Sequence, residues 1–311
     1  MGKKSKPPIP TVAAPWTELP DDLTANILQR LHTEEILMSA QKVCSNWWRV
    51  CKIPTMWRVI DVDYGRCTNR VQFGNICRCA VDRSEGQLVE LKLSGVYVDG
   101  LLNYVAQRSS HLRRLTLLEY DTIPYNKEYD TLGFTKEIKD LPQLEELHLY
   151  LSHTLDRSTY VEAIGISCPM LKSFTYCCWF DSLEFSHFAE AIGKNMSNLQ
   201  HLLVFVAHMN IKGLEWILDG CPRLESLVLP QRCALDLQGS LGKRCCHQIK
   251  DLWFHPNSFH FCRLPKYLKE SIVFFYGSKA IYCKTRDPFP QDTILETILQ
   301  QKSSKLVTFK Y

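Results

Sequence analysis

One short pattern, apolar-x-x-apolar-x-apolar, recurs along most of this chain and restricts its fold more than any other feature. It reads Leu88-x-x-Leu91-x-Leu93, Leu112-x-x-Leu115-x-Leu117, Leu144-x-x-Leu147-x-Leu149 and Leu171-x-x-Phe174-x-Tyr176. It continues as Leu199-x-x-Leu202-x-Val204, Leu224-x-x-Leu227-x-Leu229 and, more weakly, Ile249-x-x-Leu252-x-Phe254. Successive starts lie 24, 32, 27, 28, 25 and 25 residues apart. The long second interval predicts a loop around Asp121–Asp130. A period of this size is that of a repeat architecture. A single unit cannot close a core, but stacked units share one, so the pattern predicts a strand-and-helix solenoid.

Between the hexads lie apolar residues at helical spacing. They are Leu101, Leu102, Val105 and Ala106; Tyr160, Val161, Ala163 and Ile164; Phe188, Ala191 and Ile192; and Leu214, Ile217 and Leu218. Cys168-Pro169 and Cys221-Pro222 precede the next hexad, where proline stops a helix. Strand alternation turns the apolar hexad positions inward and the intervening residues to the concave face. That face is predicted to carry Lys92, Thr116, His148, Thr175, Leu203, Val228 and Trp253, flanked by Arg114, Tyr150, His201, Phe205 and Asp251. Its first half is polar. Its second half, with Leu203, Phe205, Val228 and Trp253, is apolar, and such a patch either binds a partner or lies under a returning C-terminal segment.

Residues 1–15 contain four prolines and read as a flexible basic lead-in. A helical unit is predicted over residues 16–58. Pro20, Asp21 and Asp22 suit a first helical turn, and Leu23, Ile27, Leu28 and Leu31 share a face. Thr33 is placed to cap a second helix that begins with Glu34 and Glu35 and carries Ile36, Leu37, Ala40 and Val43. A third carries Trp47, Trp48 and Val50 before Pro54, and Trp57 follows. This unit holds four of the seven tryptophans. About 40 residues bury too little surface to stand alone, so this grease needs cover, from the repeats or from another protein.

Leu19-Pro20-Asp21-Asp22-Leu23, Ile27-Leu28, Arg30-Leu31, Ile36-Leu37, Val43-Cys44, Trp47, Arg49 and Trp57 together resemble an F-box motif. Thr24 and Ser45-Asn46 depart from it, where the family often has an aliphatic and basic residues. The hexads and their cysteines resemble the cysteine-containing leucine-rich repeats of plant-type F-box proteins. The resemblance implies an α/β solenoid: an N-terminal helical F-box (16–58), then a short ribonuclease-inhibitor-like horseshoe (59–255), then a cap or tail (256–311). It implies a substrate-recognition subunit of an SCF-type (Skp-cullin-F-box) ubiquitin ligase, itself non-catalytic. Leu19, Pro20, Leu23, Ile27, Leu28, Leu31, Ile36, Val43 and Trp47 would then bind a Skp-type adaptor. Lys92, Thr116, His148, Thr175, Leu203, Phe205, Val228 and Trp253 would bind the protein to be ubiquitinated. The rival reading is a non-catalytic leucine-rich-repeat scaffold or inhibitor with the helical unit as a mere cap.

Other classes are excluded by what is missing. The sequence contains no Walker loop, zinc-protease helix, dinucleotide glycine fingerprint or nucleophile elbow. It has no CxxC pair among its 14 cysteines, so reduced structural thiols and no metal or other cofactor are expected. No apolar run approaches a membrane span. The net charge is +4, with 20 basic and 24 acidic residues over 59–255 and nine basic and four acidic over 256–311. That distribution argues against a nucleic-acid binder. The basic start, Lys3-Lys4-Ser5-Lys6, suits a nuclear or cytoplasmic protein. In the C-terminal stretch, Ile272–Tyr276 is expected as a strand and Ile294–Leu299 as a short helix.

Overall fold

The computed structural model describes residues 19–95, 100–119, 137–151, 157–178, 186–205, 210–230, 239–255, 271–276 and 279–284. Three short helices lead: α1 (Asp21–Leu28), α2 (Thr33–Met38) and α3 (Ser45–Val50). Asp21 and Asp22 occupy the first turn of α1, where a negative charge meets the positive end of the helix dipole. At α2 the Glu35 carboxylate accepts from the His32 backbone N–H at 3.1 Å, so His32 is the capping position. Thr33, expected as that cap, is instead the first helical residue and spends its hydroxyl elsewhere. Trp57 is buried in the core, its indole N–H donating to the Cys51 carbonyl at 3.0 Å.

Eight parallel strands then follow in chain order, each bonded to the next: β1 (Val59–Asp63), β2 (Glu90–Gly95), β3 (Arg114–Glu119), β4 (Glu146–Leu151), β5 (Ser173–Cys178), β6 (His201–Phe205), β7 (Ser226–Pro230) and β8 (Asp251–His255). The sheet is open, with no closing pair between β1 and β8. Among the described residues six helices return the chain: α4 (Arg70–Arg83), α5 (Leu101–Arg108), α6 (Arg157–Ser167), α7 (Ser186–Asn195), α8 (Ile211–Gly220) and α9 (Ser240–Gln248). The seven hexads supply β2–β8. β1 and α4 precede them and were not expected. The predicted loop at Asp121–Asp130 and the helix at Ile294–Leu299 lie outside the described residues. Ile272–Tyr276 forms part of β9 (Ser271–Tyr276), which pairs antiparallel with β10 (Lys279–Lys284) in a separate two-stranded sheet.

The register explains the hexad. Ile60, Leu91, Leu115, Leu147, Phe174, Leu202, Leu227 and Leu252 stand opposite one another across consecutive strands. All are buried, and so are the hexad-opening residues from Leu88 to Ile249. Each such leucine contributes roughly 1.5–3 kcal/mol of burial, realised only because its neighbours in the next unit cover it. The helix layer is equally close. A Cβ on Gly193 of α7 would overlap the Trp216 carbonyl of α8, and one on Gly220 would overlap the Gly193 carbonyl. Glycine is required at both positions by the approach of the backbones.

The first edge of the sheet is not left open. The β1 N–H groups of Asp61 and Asp63 donate to the Thr33 hydroxyl (3.2 Å) and to the Glu34 carboxylate of α2. Two side chains from the helical unit thus satisfy donors that would otherwise invite another strand. Arg66 reinforces the joint with Glu35 at 2.9 Å, and Arg83 of α4 donates to the Cys51 carbonyl at 3.2 Å.

Candidate docking surfaces

The outer face of α1 carries Leu23 and Ile27, four residues apart, and the stripe runs on through Leu31 beyond the helix. Leu23 is 49% exposed, and Ile27 and Leu31 are exposed as well. Val43, 63% exposed, adds a second apolar point. The inner face is pinned. Arg49 of α3 makes an ion pair with Asp21 and donates to Asn46 Oδ1 at 2.8 Å. Asn46 Nδ2 and the Thr24 hydroxyl both donate to the Leu19 carbonyl, at 3.1 and 3.4 Å. The two positions that depart from the F-box pattern therefore anchor the start of α1.

Two of the expected adaptor contacts are buried in this structure. Leu28 is 0% exposed and Ile36 is also buried, so both support this face from beneath and offer no surface. Leu19 and Trp47 are half-buried, Trp47 packing against the core, and Pro20 is exposed. Trp48 is the exposed tryptophan of α3, with the Lys52 ammonium 5.1 Å from its ring centroid. The helical period carried this signal: Val50 points inward, and Trp47, three residues earlier, lies nearer its side than Trp48 does.

The concave face divides in two. On β2–β4, Glu90 accepts from Arg114 Nε at 2.8 Å and pairs with Lys92 at 2.9 Å. Desolvation pushes the Glu90 carboxyl upward, but the bonds from Lys92 and Arg114 outweigh it and hold it below the usual range. Lys92, Thr116 and His148 are half-exposed. His148 Nδ1 lies 2.8 Å from the Thr175 hydroxyl. Further along the same row exposure vanishes: Thr175 is 4% exposed, Val228 1%, and Leu203 is buried too. These three expected target contacts are therefore buried on this face. Phe205 and Trp253 align with Cys177 and Val228 in register, and their side chains lie outside the described residues. One row earlier, Arg113, Glu145 and Lys172 pair in sequence at 3.0 and 2.8 Å, and Glu225 meets Lys250 at 3.0 Å.

Many charges on this face are thus spent on one another, and Cys168 and Cys221 are spent on packing. Cys168 Sγ donates to the Leu141 carbonyl at 3.7 Å, and Cys221 Sγ reaches the Ile192 carbonyl at 4.0 Å, each in the preceding unit. Burial pushes both thiols to about 12, which keeps them protonated. Among the described residues no group of three His, Cys, Asp or Glu is placed to hold a metal ion. No helix among them is long and apolar enough to cross a membrane.

A family model described as F-box-like matches residues 16–63, which takes in the helical unit and β1. The Arabidopsis thaliana protein named "Putative F-box/LRR-repeat protein 9" is 36% identical over 233 residues, covering 73% of this chain and 92% of that one. The chain belongs to the F-box/LRR-repeat family. Among its other Arabidopsis relatives, F-box protein SKIP19 is 38% identical over 78% of this chain and 77% of its own length. "Putative F-box/LRR-repeat protein 23" is 40% identical over 76% of this chain, and the match spans 52% of that protein. The F-box of this chain is therefore the module bearing the α1 stripe, and its leucine-rich repeats are the strand–helix units behind it.

Proposed function

We propose that this F-box/LRR protein is the substrate-recognition subunit of an SCF-type ubiquitin ligase. Its F-box binds a Skp-type adaptor, and through it a cullin-RING assembly, by the α1 stripe of Leu23, Ile27 and Leu31 together with Leu19, Pro20 and Val43. Its repeats bind the target protein on the concave face. The single observation that carries this reading is the uncovered apolar stripe inside the F-box match: residues that the chain leaves in water, on a helix pinned from the other side.

The role is positional. A target held on the repeats meets the ubiquitin-loaded enzyme at a high effective concentration, and no bond is made or broken by this chain. The Thr33–Asp61 and Glu34–Asp63 bonds support such a role, since they fix one docking surface relative to the other. Ligase assembly of this kind is at home in the nucleus and the cytosol, and we place the protein there.

The test is capture of a purified Skp-type adaptor by the full chain. Leu23→Glu with Ile27→Glu should abolish capture while the thermal melt stays within a few degrees. Lys92→Glu should leave it intact. Full capture by the double variant would move the adaptor site off the α1 stripe, and no capture by the unaltered chain would leave the repeats as a scaffold or inhibitor without a ligase.

A further inference from the structure

The F-box match ends at residue 63, but one arginine beyond it reaches back into the module. Arg83 lies in the last turn of α4 and is half-buried. Its Nη1 donates to the Cys51 carbonyl at 3.2 Å, and its Nη2 donates to Gln41 Oε1 at 2.7 Å. The guanidinium also stands 5.3 Å from the centroid of the Trp57 ring. These partners belong to separate pieces of the F-box. Gln41 sits in the turn Ala40–Lys42 and donates its own amide to the Leu37 carbonyl of α2. Cys51 ends α3, and its carbonyl also accepts the Trp57 indole N–H. Trp57 closes the turn Pro54–Trp57 and is buried in the core.

The chemistry of this clasp is that of arginine. A flat guanidinium sends N–H groups in two directions and lies against a ring, whereas an ammonium is a point charge that would satisfy one of the two acceptors. The groups that Arg83 meets are neutral, so the clasp depends on hydrogen-bond geometry and ring contact. A second arginine nearby behaves otherwise. Arg108 of α5 pairs with Asp82 at 3.0 Å and lies 3.7 Å from the Tyr104 ring centroid, so its partners are on α4 and α5. From Arg83 a path of contacts runs on to the stripe. Cys51 ends α3, and two residues earlier Arg49 holds Asp21 of α1. Asn46, also on α3, holds the Leu19 carbonyl at the start of α1 at 3.1 Å. α1 is pinned to α3, and Arg83 pins the far end of α3.

We propose that Arg83, beyond the F-box match, is a positioning residue for adaptor docking: it fixes the C-terminal end of α3 and, through α3, the setting of the α1 stripe. It acts through that helix and not by contact with the adaptor. The consequence for docking rests on the ligase reading above; the clasp on α3 does not.

Two measurements on the full chain test it. Without adaptor, the Trp57 indole N–H resonance, one of seven such signals, should shift in Arg83→Met. The amides of α1 and α3 should then exchange with deuterium about fivefold faster, while those of β4–β8 keep their rates. Arg108→Met should do neither. With a purified Skp-type adaptor, Arg83→Met should weaken capture about tenfold, the worth of one or two hydrogen bonds. Arg83→Lys, which keeps a cation at the ring and one of the two bonds, should recover most of it. Arg49→Met should weaken capture as well, and the double variant should lose less than the product of the two single losses, because both act along one path. Should Arg83→Met fail to fold, Gln41→Met removes one acceptor and should give the same pattern at smaller size. Unchanged exchange in α1 and α3 would overturn the clasp. Loosened helices with undiminished capture would overturn the positioning role, as would equal acceleration across β4–β8, the mark of general destabilisation. Absence of capture by the unaltered chain, with the exchange pattern intact, would sink the ligase reading alone.

Discussion

The α1 stripe and the β5–β7 half of the concave face are both apolar in sequence, and the folded chain treats them in opposite ways. Leu23 and Ile27 stay in water, while Leu203 and Val228 are covered. Apolar composition says only that a surface needs cover; whether the cover belongs to the same chain depends on which other segments can reach it. α1 is the first described helix, and its opposite side is occupied by α3 through Asp21–Arg49. Val228 of β7 stands in register with Trp253 of β8, and Leu203 of β6 with Val228, so each has a large apolar residue beside it on the sheet. Within α1 itself the contrast can be broken with two leucines. Leu28→Ala should cost about 3–5 kcal/mol of stability, the range for a fully buried leucine. Leu23→Ala should stay within about 0.5 kcal/mol in a denaturant melt yet weaken adaptor binding tenfold or more. Similar melts for both would erase the distinction between support and contact.

The matched threonines sharpen the same contrast on the sheet. Thr175→Asp places a carboxylate under cover and should cost about 2–3 kcal/mol. Thr116→Asp, one open position away from the same His148, should cost no more than about 0.5 kcal/mol. Urea melts of the two full-length variants decide it, and equal losses would mean that the two halves of the face are equally open.

How far these regions could be read in advance follows from the kind of signal each residue carries. Leu147 and Phe174 announce themselves because stacking repeats the same demand at every turn of the solenoid. β1 was legible too: Trp57-x-x-Ile60-x-Val62 repeats the hexad with a tryptophan in the leading place, Ile60 and Val62 stand in register with Leu91 and Leu93, and Trp57, Ile60 and Val62 are all buried. α4 was legible but unread: Phe73, Ile76, Cys77, Ala80 and Val81 fall at helical spacing and are all buried. Thr33 looked like a helix cap because local rules assign it that role, and a distant strand edge claimed its hydroxyl instead. Leu28 and Leu23 sit on neighbouring arcs of one short helix, so periodicity named the helix without sorting which arc faced the partner. Thr175 and Val228 were placed on the correct face, but hexad spacing does not set how deeply a residue on that face is buried.

The joint between F-box and repeats is a third case, where cover is supplied inside the chain at a cost. Glu34 is fully buried with one oxygen on the Asp63 N–H, and its Oε2 has no hydrogen-bond partner among the described residues. Desolvation, with Asp61 and Asp63 nearby, raises its carboxyl above the ordinary 4.5. The folded state therefore holds the proton more tightly than the unfolded chain does. No penalty exists in acid; it grows as pH rises through 4.5 and is complete above the raised value. Glu34→Gln keeps the acceptor for Asp63 and removes the charge, so it should stabilise the protein by about 1 kcal/mol at pH 7. Melts repeated at pH 4 should show the gain shrinking. A constant gain across that range would mean that the carboxylate is not the source of the cost.

The smallest effect belongs to a solvent-exposed surface, the charged row at the strand entrances. Glu145 bridges Arg113 and Lys172, and the bond from Lys172, with Arg113 behind it, holds its carboxyl below the usual range. Here the sign reverses. The folded state prefers the ionised form, so the stabilisation is present above the unfolded value near 4.5 and is lost as pH falls through the lowered one. Because the pairs are exposed to solvent, Glu145→Gln should cost only about 0.5 kcal/mol at neutral pH and low salt. Half-molar salt should shrink that cost, because screening reaches exposed charges and leaves buried ones largely untouched. A salt-insensitive loss at Glu145 would place this row under cover, and the division between open and covered surfaces would have to be redrawn to include it.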